Sequence, residues 1–141
     1  MLTAVQAGYI VHQVNCRGAM GAGIAIKIAN KWPAVKAAYQ RRCTEASDPR
    51  ELLGHIQVVP VSELLAVVNL FGQLNYGRDG RCYTDYAAVS SALAELAGLA
   101  IPGWPIFFPY GIGCGLAGGD WSRYSKLIEA AIPSAIIVRP M

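Results

Sequence analysis

The chain has 141 residues, of which 54% are hydrophobic and 15% are charged, and its formal net charge is +3. This length is usual for one domain, and the composition excludes disorder and is typical of an α/β protein whose parallel strands are covered on both faces. The small, scattered positive charge predicts no nucleic-acid interface, and the longest apolar stretches are too short to span a bilayer.

The first half of the chain predicts one strand, two helices and two further strands. A short apolar, β-favouring run ends at the turn-like sequence N-C-R-G. Apolar residues then recur at helical spacing until Pro33, which ends one helix and opens a second. After a polar surface connection, two more apolar runs are typical of strands. The predicted ranges are 9–14, 24–32, 34–43, 55–61 and 64–71.

The second half begins with a long loop. Residues 72–81 hold three glycines, which predicts a mobile loop that begins where a strand ends at Phe71. Apolar residues at three- and four-residue intervals from Tyr83 predict a helix ending at Gly98. The remaining predicted elements are a strand at 106–109, a glycine-rich loop at 110–120, a helix at 121–131 and a strand at 134–138.

Strands alternate with helices, which predicts a layered α/β/α sheet with successive helices placed on its faces by right-handed crossovers. No internal repeat and no second domain is visible over residues 1–141. In such sheets ligands collect outside the carboxyl ends of the strands. We therefore expect the loops that begin at Asn15, Gly72 and Tyr110 to converge on one crevice.

The first of these loops reads N-C-R-G-A-M-G-A-G-I-A and leads directly into a helix. Its glycines, Gly18, Gly21 and Gly23, let backbone N–H groups approach an anion, and the helix N-terminus adds partial positive charge. The order G-x-x-G-x-G is neither of the two common phosphate-binding patterns. Taken alone, the loop is about equally compatible with a tight turn that binds nothing.

A second loop of the same design, P-Y-G-I-G-C-G-L-A-G-G-D-W, precedes the last predicted helix. Two such loops favour a diphosphate. Glycine destabilises regular structure by roughly 0.5–1 kcal/mol relative to alanine, so its repeated use needs a steric or ligand-based reason. Tight packing without a ligand is the alternative.

Together, V-H-Q-V-N-C-R-G-A-M-G-A-G-I-A and the second loop resemble the two signature loops of macro domains, and the similarity runs from about Tyr9 onwards. It is closest to the Appr-1″-p processing branch, which contains ADP-ribose 1″-phosphate phosphatases and terminal ADP-ribose protein glycohydrolases. The resemblance implies an α/β fold, a three-layer α/β/α macro domain with a central mixed, mostly parallel sheet. It also implies ADP-ribose or a derivative as ligand, and no cofactor.

The resemblance assigns roles to residues in both loops. Asn15 matches an asparagine that contacts the distal ribose, and backbone amides of the second loop would hold the diphosphate. Arg78 on the middle loop is predicted to close over the ligand, the alternative being an ordinary exposed residue. The other implied ligand contacts are Cys16, Gly21, Ala22, Gly23 and Ile24 in the first loop and Tyr110, Ile112, Gly113, Cys114, Gly115 and Leu116 in the second.

Two features depart from the family pattern. The family's adenine-recognising aspartate has no counterpart, because residues 1–8 contain no acid. The lysine and aspartate used by glycohydrolases of this branch are replaced by Gly72 or Gln73 and by Ala117. A lysine-adduct mechanism is therefore not expected here.

Asn15, His12 and Asp120 are the predicted catalytic residues. His12 matches a histidine of phosphatase-like members, and the alternative is a buried core histidine. Asp120 precedes a helix and is equally an N-cap, a role that contributes about 1 kcal/mol; one carboxylate could serve both purposes. Asn15 could be a turn residue only, although the presence of both loops favours the ribose contact.

The cysteines predict neither a metal site nor a nucleophile. They are far apart, with no C-x-x-C pair and no histidine cluster, so no metal is expected and free thiols in the cytoplasm are the simplest interpretation. Cys114 is interpreted as a space-filling residue, since no histidine lies near it in sequence.

The predicted activity is hydrolysis at the distal ribose C1″, releasing phosphate, an acyl group or a modified side chain. The alternative is a catalytically silent reader of ADP-ribose on an ADP-ribosylated protein. A third, less favoured hypothesis is RNA or poly(ADP-ribose) binding through a basic helical face that is otherwise interpreted as solvated. That face comprises Lys27, Lys31, Lys36, Arg41 and Arg42. We expect a monomer or weak dimer with no membrane contact.

Overall fold

Five strands form one sheet in the computed structural model, which describes residues 1–139. The predicted domain, residues 1–141, thus includes two residues that lie outside the described range. The strands are β1 (Gly8–Asn15), β2 (Ile56–Pro60), β3 (Leu65–Gln73), β4 (Ile106–Pro109) and β5 (Ile136–Val138).

The strand order is β2-β3-β1-β4-β5. β1 pairs in parallel with β3 and β4, and β4 pairs in parallel with β5. Only the edge strand β2 runs antiparallel, to β3, because a short connection of four residues joins the two. The sheet is therefore mixed and mostly parallel, as predicted.

Helices cover both faces of the sheet. The four α-helices are α1 (Gly23–Lys31), α2 (Pro33–Glu45), α3 (Tyr86–Leu99) and α4 (Trp121–Ala131). One core packs α1 and α2 against residues such as Ile10 and Val67, and the other packs α3 and α4 against residues such as Val11 and Val68. Neighbouring residues of one strand thus pack against helices on opposite faces of the sheet, which confirms the α/β/α prediction.

The predicted element boundaries are correct to within a few residues, with one difference that affects the site. β3 does not end at Phe71 but continues to Gln73, and a bulge at Gly72 shifts its register with β1, so that Asn15 pairs with Gln73. The loop predicted over residues 72–81 therefore begins two residues later. Thr84 also forms an isolated bridge with Gln73, and α3 begins only at Tyr86.

None of the helices within residues 1–139 combines the length and apolar character needed to cross a bilayer.

Candidate functional site

The three loops that follow β1, β3 and β4 meet at one open crevice of about 740 Å³, as predicted. A volume of this size is usual for a small-molecule site. The sequence-predicted residues that line the crevice are Asn15, Gly21, Ala22, Gly23, Ile24, Arg78, Tyr110, Ile112, Gly113, Gly115 and Leu116.

Asn15 organises the first loop from the end of β1. Its side-chain oxygen accepts the backbone N–H groups of Arg17 at 2.9 Å and Ala19 at 3.3 Å, and its Nδ2 donates to the carbonyl of Ala19 at 2.8 Å. The hydroxyl of Tyr39, on α2, reaches both the side-chain and the backbone oxygen of Asn15. One N–H of the Asn15 amide is left for a ligand, so the turn role and a ligand contact are compatible.

The N-terminus of α1 opens into the crevice without a side-chain cap. Its N-cap residue is Ala22, which has no side-chain hydrogen-bonding group. By contrast, Asp85 caps α3 and Asp120 caps α4 through backbone N–H groups in the first turn. The first N–H groups of a helix need partners from outside the helix, so α1 presents unfilled donors and the positive end of its dipole to the crevice.

The protein itself requires several glycines of the second loop, and Gly113 and Gly118 show why. Gly113 has φ +73, and a Cβ there would lie 2.5 Å from the ring of Tyr124. Gly118 has φ +72, and a Cβ would lie 2.5 Å from the carbonyl oxygen of Arg81. Tight packing, the alternative considered from sequence, accounts for these two positions.

Gly21 and Gly115 have no such explanation. Neither has a positive φ, and a Cβ added at either would meet no atom of the described chain within 4 Å. Both line the crevice, one in each loop. Neither a positive φ nor packing against the protein excludes alanine at these positions, so a methyl group there would project into open space at the crevice.

A network of uncharged side chains forms the floor of the crevice. Gln13 Nε2 donates to Gln73 Oε1 and to Thr84 Oγ1, both at 2.9 Å, while Gln13 Oε1 accepts the hydroxyl of Tyr124 at 2.8 Å. Thr84 in turn donates to the carbonyl of Gly113 at 2.7 Å. The sequence offered only one signal of this network, the polar Gln13 within an apolar strand.

The middle loop contributes the rim of the crevice. Tyr76 and Arg78 line it and are exposed. The loop is held to the first loop by Arg17, whose Nε donates to Asn75 Oδ1 at 2.9 Å, and by the N–H of Cys16, which donates to the carbonyl of Leu74. These bonds tie the beginning of the predicted mobile loop to the body of the protein.

Solved structures similar in fold include several bacterial proteins. A protein of unknown function from Bacteroides thetaiotaomicron has a TM-score of 0.85 and 29% identity, over 98% of this chain and 91% of that one. A macrodomain protein from Streptomyces coelicolor has a TM-score of 0.79 and 29% identity, over 99% and 94% of the two chains. This chain has the macrodomain fold. Thermosipho africanus DarTG, solved in complex with ADP-ribose, matches this chain with a TM-score of 0.71 and 16% identity, over 96% of this chain and 38% of that one.

No protein-family model and no curated protein matches the sequence. The macrodomain fold therefore rests on the arrangement of the elements and on these solved structures. The Appr-1″-p processing branch, which the sequence resembles, stays a prediction.

His12 lies on the side of the sheet opposite to that of Gln13, away from the crevice. It is fully buried beneath α1 and α2. The amide nitrogen of Asn69 donates to Gln57, so Asn69 presents its oxygen to His12. His12 Nε2 therefore donates to Asn69 Oδ1, at 2.5 Å. Its Nδ1 has no hydrogen-bond partner in the described part of the chain. Burial lowers the pKa of His12 from 6.5 to about 4, only partly offset by the Asn69 bond. The structure thus places His12 in the buried core, the alternative considered from sequence.

Asp120 acts as the N-cap of α4, with Oδ2 accepting the N–H of Arg123 at 3.3 Å. It is exposed and does not line the crevice. The capping role that its position predicted is present, while the structure does not bring its carboxylate beside Asn15 on the crevice wall.

Cys16 and Cys114 belong to the two loops but do not line the crevice. Cys16 is buried, which raises its thiol pKa to about 12, with smaller contributions from neighbouring groups. Burial is also the main cause of a raised pKa at Cys114, whose Sγ lies 3.3 Å from the carbonyl of Ile112. Both are therefore thiols rather than thiolates at neutral pH, in keeping with a space-filling role.

Proposed function

We propose that the crevice of this macrodomain binds ADP-ribose or a derivative, with the diphosphate between the two glycine loops. The observation that carries the proposal is the pair Gly21 and Gly115. Each lines the crevice from a different loop. At each position the protein leaves room for a Cβ atom, yet the residue is glycine.

The proposed diphosphate site is made of backbone groups. The uncapped N-terminus of α1 supplies N–H groups and a partial positive charge on one side. On the other side, the loop around Gly113 and Gly115 turns twice through left-handed glycine conformations, at Gly111 and Gly113. Main-chain amides on two sides suit a ligand with two linked phosphates better than a single phosphate.

The choice of ADP-ribose among diphosphates is supported by the similar structures. DarTG, which shares this fold, was solved with ADP-ribose bound. In this proposal the distal ribose lies at the end of the crevice formed by Asn15 and Gln73, where carboxamide N–H groups can donate to hydroxyl oxygens. Arg78, exposed on the rim, would approach the diphosphate from solvent.

The lining supports recognition better than hydrolysis by a protein acid or base. Among the described residues that line the crevice there is no Asp, Glu, His, Lys or Cys. General acid–base catalysis requires a titratable group within hydrogen-bond reach of the substrate, directly or through one water, and the described lining offers the hydroxyls of Tyr76 and Tyr110 in place of a carboxylate or an imidazole. We therefore propose a reader of ADP-ribose as the principal function. Hydrolysis at C1″ is the second candidate, and it would use water ordered by the ligand's own diphosphate or by Asp120 after a rearrangement.

Thermal unfolding with and without ligand tests the proposal. ADP-ribose at about a hundred times its dissociation constant should add roughly 2.7 kcal/mol to the free energy of unfolding. ADP and ribose 5-phosphate serve as partial ligands. If the unfolding temperature did not change with ADP-ribose but rose with another nucleotide, the assignment of the ligand would be wrong.

Reader and hydrolase are separated by turnover. ADP-ribose 1″-phosphate, O-acetyl-ADP-ribose and an ADP-ribosylated protein are incubated with the macrodomain, and product is measured. Binding without product supports the reader. Product formation that is lost in Asn15→Ala or Asp120→Ala would instead establish the hydrolase.

A further inference from the structure

The hydrogen bonds at the floor of the crevice connect five separate segments of the chain. They begin at Tyr124 on α4, pass through Gln13 on β1, and divide there toward Gln73 on β3 and toward Thr84. Thr84 donates to the carbonyl of Gly113 in the second glycine loop. On the other branch, Gln73 Nε2 donates to the carbonyl of Asn75 in the middle loop at 2.8 Å.

The direction of these bonds is determined by their donors. Tyr124 donates its single proton to Gln13 Oε1, so both amide protons of Gln13 remain for its two acceptors, Gln73 and Thr84. The Thr84 hydroxyl, having accepted from Gln13, donates its own proton to Gly113. Gln13 therefore uses both amide protons within the protein and has no N–H left to donate to a ligand, although it lines the crevice.

The surrounding backbone is shaped to admit this amide. A Cβ at Gly72 would overlap Oε1 of Gln13, and the bulge at Gly72 brings Gln73 into register with Asn15. A Cβ at Gly113 would lie 2.9 Å from the same oxygen. Gly72 on β3 and Gly113 in the second glycine loop thus both leave room for the side chain of Gln13.

We propose that Gln13 is the positioning residue that holds the second glycine loop and the middle loop in the arrangement that receives the ligand. The inference rests on the proposed function, because it concerns the same crevice. Through Thr84 it holds the carbonyl of Gly113, which also accepts the N–H of Gly119 at 2.9 Å. Through Gln73 it holds the beginning of the middle loop. A preorganised loop binds more tightly, since less ordering remains to be done on binding.

The first test needs no ligand. Amide hydrogen exchange is measured for the N–H of Gly119, which reports on the second glycine loop, and of Cys16, which donates to Leu74 in the middle loop. Gln13→Met should accelerate both, each by about tenfold or more. Thr84→Val, which cuts only one branch and keeps the side-chain shape, should accelerate exchange at Gly119 and leave Cys16 as in the wild type.

Gln57→Met is the matched control. Gln57 also lies on a strand and also makes two side-chain hydrogen bonds, with Asn69 and with the carbonyl of Ala38, but it lies on the opposite face of the sheet. Gln57→Met should lower the free energy of unfolding. It should not change the exchange of the Gly119 and Cys16 N–H groups through local opening, as distinct from exchange through global unfolding. This separates positioning from general destabilisation.

The second test is the affinity for ADP-ribose, measured by calorimetry. Gln13→Met and Thr84→Val should each weaken binding about tenfold, and the double variant should lose less than the product of the two losses, because both act through Gly113. If Gln13→Met does not fold, Thr84→Val and Tyr124→Phe, which retain Gln13, take its place.

The outcomes are distinguishable. Unchanged exchange at Gly119 in both Gln13→Met and Thr84→Val would overturn the inference, and so would faster exchange with affinity within about twofold of the wild type. If the wild-type protein itself did not bind ADP-ribose, the proposed function would be wrong, while the exchange measurements would still decide whether Gln13 positions the loops.

Discussion

The hydroxyl of Tyr39 lies 2.6 Å from the carbonyl oxygen of Asn15 and 2.9 Å from its side-chain oxygen. This contact joins α2, on one face of the sheet, to the first glycine loop. Burial raises the pKa of Tyr39 above its ordinary value, so the hydroxyl keeps its proton as a donor.

Tyr39→Phe should therefore destabilise the protein and loosen the first loop. The buried carbonyl of Asn15 would lose its donor, and an unsatisfied buried group costs about 1–3 kcal/mol. Denaturant unfolding measures the loss. We expect ADP-ribose affinity to fall by about tenfold or less, since Asn15 keeps its bonds to Arg17 and Ala19. No change in either quantity would show that the contact does not support the loop.

Gly115→Ala and Gly21→Ala should weaken binding and keep the fold. The added methyl group meets no protein atom within 4 Å, so the free energy of unfolding should stay the same or rise by up to about 1 kcal/mol. The methyl group would enter the proposed diphosphate site, and affinity should fall by about tenfold or more. Calorimetry and thermal unfolding of the same samples give both quantities.

Gly98→Ala is the control for this pair. Gly98 is exposed in α3, a Cβ there also meets no neighbour within 4 Å, and it lies outside the crevice. Its replacement should stabilise the helix by up to about 1 kcal/mol and leave affinity unchanged. Equal affinities in all three variants would remove the main support for a ligand in the crevice.

Acid should destabilise the protein through His12. Its pKa is about 4 in the folded protein, against an ordinary value of 6.5. Between pH 6.5 and 4, His12 therefore binds a proton in the unfolded chain but not in the folded protein. The free energy of unfolding should fall as the pH drops from 6.5 to 4, by roughly 3 kcal/mol from this residue. Below pH 4 this contribution should level off.

His12→Gln isolates that contribution, since glutamine does not titrate and the rest of the chain is unchanged. Urea titrations between pH 4 and 7.5 should show a shallower dependence on pH in the variant. Parallel curves for the two proteins would mean that His12 takes up its proton normally.

Asp120→Ala should lower stability by about 1 kcal/mol, because the first turn of α4 loses its cap. If the protein is a reader, ADP-ribose affinity should stay within about twofold of the wild type, as the carboxylate does not line the crevice. Asp120→Asn, which keeps a capping oxygen, should restore stability. A loss of turnover in both variants would instead assign Asp120 a catalytic role.

Local sequence patterns were sufficient to predict the layered architecture and the three loops that meet at the crevice, whereas the individual residues of the crevice wall were implied by the resemblance to macro domains. Strands and helices appeared in their chain order because their apolar periodicities are local, and parallel strands bring the loops after Asn15, Gln73 and Pro109 to one edge. Glycine-rich turns before helices also predicted where backbone amides would be presented. These inferences needed only residue type and spacing.

The tertiary structure decided which side chains face the crevice. Successive side chains of β1 face opposite helical layers, so either His12 or Gln13 points toward α3 and α4. Because β1 is buried on both faces, its local sequence does not show which of the two does so. The floor of the crevice depends on contacts such as Gln13 with Tyr124, which lie 111 residues apart. Such pairs exist only once the sheet has assembled, which is the physical reason why they could not be predicted from local sequence patterns.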